Sequence, residues 1–126
     1  MWEICRDLNI VDTDNKELVY GALAEGPGGF IECFNFYRRR YCVSPNDTIN
    51  CITLKPYNTD IPGWKKSKQF IKNHNVKITY GLDGTGNLYN LDNIKFLKEF
   101  IKEEVDFITA DGGFDFSIDF NSQEEL

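Results

Sequence analysis

The sequence has no apolar run of about 18 residues, so no membrane-crossing helix is expected. Its opening, Met1-Trp2-Glu3-Ile4-Cys5-Arg6-Asp7, carries charges that interrupt every apolar stretch, so no secretory signal is expected there. Histidine occurs once, as His74. The four cysteines, Cys5, Cys33, Cys42 and Cys51, include no pair with the close spacing of a metal knuckle. No metal site is therefore expected. The cysteines read as reduced, partly buried thiols, and a cytoplasmic location follows as the expectation. There is no repeat and no low-complexity tract. Basic residues are the minority, 14 against 20 acidic, for a net charge of -6. A uniformly basic nucleic-acid glove is excluded; a locally basic one is not.

What is present is a globular core. Of 126 residues, 41% are apolar and 14% aromatic, enough for one domain and too rich for an acidic disordered tail. The charge is unevenly placed. Met1 to Phe36 carries -5, Tyr37 to Tyr80 carries +7, and Gly81 to Leu126 carries -8. The basic middle third reads either as a solvated helix surface or as an anion-facing one.

Periodicity predicts a short helix over 1–10, with Trp2, Cys5 and Leu8 or Asn9 a turn apart. Leu18 to Ala24 is a compact apolar run that suits a buried strand, broken at Gly26-Pro27-Gly28-Gly29. A helix follows over 30–41, ending in Arg38, Arg39 and Arg40, where cations suit the helix dipole. Residues 48–54 alternate and are rich in β-branched side chains, so they form a second strand. A helix over 62–73 carries Lys65, Lys66, Lys68 and Lys72, with Pro62 in its first turn. Residues 76–80 form a third strand. Asn90 caps a helix over 91–104, and residues 106–110 form a fourth strand. Strand and helix alternate four times, which predicts an α/β fold with a mainly parallel sheet and helices on both faces.

Ligands of such sheets bind beyond the carboxyl ends of the strands. Three unusual segments lie there: Glu25 to Phe30, Asp83 to Leu88, and Asp111 to Phe114. Glycines at 26, 28 and 29 let the backbone approach a ligand, and the following helix offers free N–H groups. The spacing G-x-G-G is neither the dinucleotide fingerprint nor a phosphate-binding P-loop. A tight strand-to-helix turn also accounts for it. Glu25 beside it repels phosphate and welcomes a cationic amino group. The loop from Asp83 to Leu88 suits an adenine edge, with Leu88 packing on the ring, and equally suits a plain turn. Asp111, before Gly112-Gly113, is a ligand acceptor, a catalytic carboxylate or a helix cap.

The ordered series Ala24-Glu25-Gly26-Pro27-Gly28-Gly29-Phe30, Ile52-Thr53-Leu54-Lys55, Gly81-Leu82-Asp83-Gly84-Thr85-Gly86-Asn87 and Ala110-Asp111-Gly112-Gly113-Phe114 resembles the FtsJ-like S-adenosylmethionine-dependent RNA 2'-O-methyltransferases. It is most similar to the cap-ribose branch of eukaryotes and large cytoplasmic DNA viruses. The resemblance runs from about Trp2 to Phe114. It implies a Rossmann-like methyltransferase fold and methyl transfer from S-adenosyl-L-methionine to a ribose 2'-hydroxyl of RNA, at the capped mRNA 5' end. It implies that Ala24, Glu25, Gly26, Pro27, Gly28, Gly29 and Phe30 cradle the methionine and ribose parts of the cofactor, with Asn87 and Leu88 at the adenine. Asp111 matches the Asp of the family's Lys-Asp-Lys-Glu catalytic set, with the role of orienting the charged Lys that works on the hydroxyl. That chemistry rests largely on positioning.

The departures carry information too. Met1-Trp2-Glu3-Ile4 resembles the segment that follows the first catalytic Lys, and Asn87 stands where many relatives carry Asp. The family sheet has more strands than the four predicted here. The expectation is therefore a single, incomplete cofactor-binding domain over 1–126, truncated after about four strands and inactive alone. Its fourth strand is then an edge open to self-association. The alternative is a catalytically inactive, methyltransferase-like scaffold or interaction module. A dinucleotide enzyme fits less well, because the second strand has no acidic residue at its end. Under the first reading, Arg38, Arg39, Arg40, Lys65, Lys66 and Lys68 are candidates for holding the RNA backbone, against the plain alternative of a solvated surface.

Overall fold

The computed structural model describes residues 1–26, 28–56 and 64–112, apart from the side chains of Lys65, Lys66 and Asn73. Expectations that fall on Pro27, Pro62, Gly113 and Phe114, and on the Lys65 and Lys66 side chains, lie outside the described residues.

The elements are α1 (Trp2–Leu8), β1 (Val19–Leu23), α2 (Gly29–Tyr41), β2 (Thr48–Ile52), a 3-10 helix (Trp64–Ser67), α3 (Lys68–Asn73), β3 (Val76–Thr79), α4 (Leu91–Phe100) and β4 (Phe107–Ala110). All three strand pairings are parallel and the order is β3-β2-β1-β4. The fold is Rossmann-like α/β. The chain steps outward from β1 to β2 to β3, then returns to place β4 on the other side of β1. The strand order therefore reverses between β1 and β4.

Register shows how the two faces differ. Tyr20 pairs with Ile49 and Phe107, and Ala22 with Cys51 and Thr109. These positions share one face, because side chains alternate along a strand. Phe34 of α2 packs there, its ring centroid 4.5 Å from Tyr20 and 5.9 Å from Phe107. Cys5, Val11, Leu18, Ile31, Tyr37, Trp64 and Val76 also belong to this core. Right-handed crossovers put α2 and α3 on this face and α4 on the other. Gly21 on the second face leaves room for Ile108 and Val105, each 3.5 Å from where its Cβ would be.

A buried ion pair locks the far end of the sheet. Arg38 is fully buried. Its Nε and Nη2 donate to the two Asp47 carboxylate oxygens, both at 2.8 Å, and Nη1 and Nη2 donate to the Asp12 and Asn15 carbonyls at 2.7 and 2.6 Å. Asp47 Oδ1 also accepts from the Leu18 N–H at 2.9 Å. Four of the five guanidinium N–H groups are engaged within the chain and the side chain is fully buried, so Arg38 leaves the set of RNA-facing candidates. Its charge staples the 12–15 turn to the start of β2.

Two predicted helices differ in extent. The segment before α3 begins as a 3-10 turn. Helix α4 stops at Phe100, where Ile101 turns extended and its N–H closes on the Leu97 carbonyl. Lys102, Glu103 and Glu104 favour helix intrinsically, but all three are exposed. No packing rewards another turn, and the chain must turn back toward β1.

Candidate functional site

The carboxyl ends of β1 and β4 frame a cleft of about 230 Å³ lined by Ala24, Glu25, Gly26, Gly29, Phe30 and Asp111. This is the point where the strand order reverses, the place at which open parallel sheets bind their ligands. Below it, the hydroxyls of Tyr20 and Thr109 meet at 2.6 Å and tie β1 to β4. Above them Gly112 sits against Ala24, its Cβ position 3.5 Å from the Ala24 Cβ. Ala24 itself has left-handed backbone (φ 54°), an unusual conformation for a residue with a side chain. It redirects the chain as β1 ends.

Glu25 is buried, and its Oε1 accepts from the Phe30 N–H at 3.2 Å. The N-terminus of α2 supplies that donor, so the carboxylate satisfies an otherwise unpaired helix end. Burial pushes the Glu25 carboxyl up, hydrogen bonds from Phe30 and Gly28 hold it down, and the nearby Asp111 raises it further. Two carboxylates thus face one small space, which suits a cationic ligand group. The Glu25 backbone is anchored on both sides. Its N–H donates to the Ile52 carbonyl at 3.4 Å. Its carbonyl accepts from Trp64 Nε1 at 3.1 Å and from the Cys51 thiol at 3.5 Å. Burial, aided by Glu25, pushes Cys51 to about 12, so it remains a thiol donor.

The second segment is built around Asp83. Its Oδ1 accepts from the Thr85 N–H at 2.9 Å, the Thr85 hydroxyl at 2.7 Å and Asn93 Nδ2 at 3.0 Å, while Oδ2 accepts from Asn90 Nδ2 at 2.9 Å. These bonds hold the Asp83 carboxyl well below the usual carboxylate range. Asn93 is fully buried. It also donates to the Asn87 carbonyl at 2.9 Å and accepts from the Asp83 N–H at 3.2 Å. The loop then docks on the end of β2: the Lys55 N–H donates to the Thr85 carbonyl at 2.8 Å. Gly86 (φ 73°) lies so close to the Thr53 backbone that no Cβ fits there.

The structure therefore brings Ala24, Glu25, Gly26, Gly29, Phe30 and Asp111 together in one cleft; Gly28 is not among its lining residues, and Pro27 lies outside the described residues. Asn87 and Leu88 are not among its lining residues. They sit on the same sheet edge, beyond β2. The Asn87 side-chain oxygen accepts from the Tyr89 N–H at 2.9 Å, which leaves it one further lone pair.

A smaller cavity of about 130 Å³, lined in part by Asn35, Arg39, Asp47 and His74, lies at the other edge. Helices α2 and α3 end there, so carbonyls and the negative ends of helix dipoles face it. Exposed Arg39 and Arg40 are in the last turn of α2, and Arg39 lines this second cavity rather than the cleft. His74 stacks on Phe70 at 4.3 Å, and its Nδ1 lies 2.8 Å from the Phe70 carbonyl.

Sequence reasoning missed Trp64, Asp83 and Asn93 as architects of the site. Two had signals. Asp-Gly-Thr is an Asx-turn pattern, and Asn90 and Asn93 lie one helical turn apart, at the loop they hold. Trp64 had only its oddity, a large aromatic among lysines.

No protein-family model matches the chain, and no solved structure matches it with significance. One curated protein is similar in part: the cap-specific mRNA (nucleoside-2'-O-)-methyltransferase 1 of Trypanosoma cruzi, 46% identical over 50 residues. The matched stretch covers 38% of this chain and 14% of that relative. A Rossmann-like sheet, a cleft at its switch point and this partial similarity to a methyltransferase are thus found in one chain.

Proposed function

We propose that this chain is the S-adenosyl-L-methionine-binding portion of an RNA cap ribose 2'-O-methyltransferase. The observation that carries the reading is the cleft between β1 and β4, where Glu25 and Asp111 converge beside a glycine-rich backbone. The donor set fits the cofactor. S-adenosylmethionine carries a sulfonium and an ammonium, and a carboxylate-lined cleft favours both. A phosphate-bearing dinucleotide meets repulsion in the same place. The cleft is small for a whole nucleoside ligand, so it receives the methionyl part. The adenosine extends toward the end of β2, where Asn87 and Leu88 stand beside Thr53 to Lys55.

When bound, the cofactor supplies an already activated methyl group. The chain holds it and excludes water with Phe30 and the Ala24 to Gly29 backbone. Asp111 orients the charged partner of the ribose hydroxyl. Of the family's Lys-Asp-Lys-Glu set, the motifs here match the Asp alone. The partial similarity to a cap methyltransferase supports RNA as the acceptor.

Calorimetric titration tests the reading. S-adenosylmethionine and its demethylated product should each bind at one site. Absence of heat from both at high concentration, with the protein folded, would refute it.

A further inference from the structure

Gly28 is the tightest point of the loop that walls the cleft. Its backbone sits at φ 112°, and a Cβ placed there would lie 2.6 Å from Cη2 and 2.7 Å from Cζ3 of Trp64. The same indole donates from Nε1 to the Glu25 carbonyl at 3.1 Å. It is only 6% exposed. One side chain thus meets both ends of the turn, its N–H at Glu25 and its six-membered ring at Gly28. Trp64 does not line the cleft itself.

We infer that Trp64 is a positioning residue, the platform that holds Glu25 and Gly28 where the ligand needs them. Two observations separate this role from ordinary core packing. First, its polar atom is committed to the carbonyl of the residue whose carboxylate walls the cleft. Among the described residues, the Glu25 backbone is restrained by Ile52 and Cys51 of β2 and, from outside the sheet, by Trp64. Second, the turn it braces contains Gly26 and Gly28 and runs into Gly29. Glycines are the costliest residues to order. An unbraced turn is ordered by the ligand at the expense of affinity, whereas a braced one is ready beforehand. The glycine at 28 and the tryptophan at 64 are therefore one device. The missing side chain makes room for the ring, and the ring fixes the backbone that the missing side chain left free.

This inference rests on the cofactor reading above, and one experiment separates the two. Trp64→Phe keeps an aromatic ring beneath Gly28 but cannot donate to Glu25. Val76→Ala truncates a buried side chain at the far end of β3 and serves as a control for stability alone. Affinity for S-adenosylmethionine and for its demethylated product is measured by calorimetry well below each variant's Tm. Trp64→Phe should bind about three- to tenfold more weakly, the worth of one hydrogen bond. Val76→Ala should lose stability and bind like wild type. In a Trp2→Phe background Trp64 is the sole tryptophan, and its fluorescence anisotropy should show a ring already immobile in the free protein, because the platform is ready before the ligand arrives. Wild-type affinity in Trp64→Phe overturns the inference while leaving the cofactor reading standing. So does an equal loss in Trp64→Phe and Val76→Ala. If Trp64→Phe fails to fold, the anisotropy of the Trp2→Phe protein decides, and a ring that is mobile in the free protein and immobilised only by ligand overturns the inference. A wild-type chain that binds neither compound overturns both.

Discussion

Replacing Asn93 with alanine should unmake the loop that carries Asn87 and Leu88. The side chain is fully buried and makes three hydrogen bonds, to Asp83 Oδ1, the Asp83 N–H and the Asn87 carbonyl. A net hydrogen bond is worth about 1 kcal/mol. Asp83 lies at the surface and recovers water in the variant, so the loss falls at about 2–3 kcal/mol rather than at the full cost of three orphaned groups. Unfolding entropy of about 2.1 cal/mol/K per residue gives roughly 0.26 kcal/mol/K for 126 residues. The expected fall in Tm is therefore about 8–11 °C. Hydrogen exchange at the amides of Thr85 and Asn87 should quicken more than at β1, because Thr85 bonds to Asp83 and Asn87 bonds to the Thr85 hydroxyl. A pH titration of the same amides adds a second check. The folded Asp83 carboxyl titrates below its unfolded value, so its contribution is present above about pH 4 and is lost as pH falls through the folded value. Thermal unfolding of Asn93→Ala within about 2 °C of wild type would refute the reasoning.

Glu25→Gln should leave the fold as stable at pH 7 as wild type, or more so, while weakening a cationic ligand. Burial raises the folded carboxyl above its unfolded value, so its contribution is greatest below the unfolded value and is lost as pH rises through the folded one. A lower Tm for the variant at pH 7 than at pH 4, relative to wild type, would contradict this. Arg38→Met strands Asp47 and two carbonyls, which should cost about 3–5 kcal/mol in urea unfolding. Arg39→Ala and Arg40→Ala should each stay within about 0.5 kcal/mol. Equal midpoints for all three would show the pair to be dispensable. Gly86→Ala should detach the loop from Thr53, detected as lost protection of the Lys55 N–H.

Hydrophobic patterning carried the strand positions and the strand–helix order, because the apolar stretches Val19 to Leu23 and Thr48 to Ile52 are buried almost throughout and Val76 to Thr79 at both ends. It also placed the glycine turn and Asp111 at strand ends, since strand ends are where apolar runs stop. Charge was harder to read. Arg38, Arg39 and Arg40 are identical in sequence, yet the helix rotates the first into the core and leaves the other two outside. Only the location of Asp47, nine residues later, decides that. Trp64 was illegible for the same reason. Its partners, Glu25 and Gly28, are distant in the chain and meet it only once β2 has brought the next crossover back over β1.

The central claim is that the cofactor occupies the cleft between β1 and β4. Its most direct test is an amide chemical-shift map of the 15N-labelled chain titrated with S-adenosylmethionine. The account predicts saturable shifts at Ala24 to Gly26, Gly28 to Phe30, Asp111 and Gly112, with smaller ones at Asn87 and Leu88, and none at Arg39 or His74. Shifts centred on Arg39 and His74, or none anywhere, would contradict it.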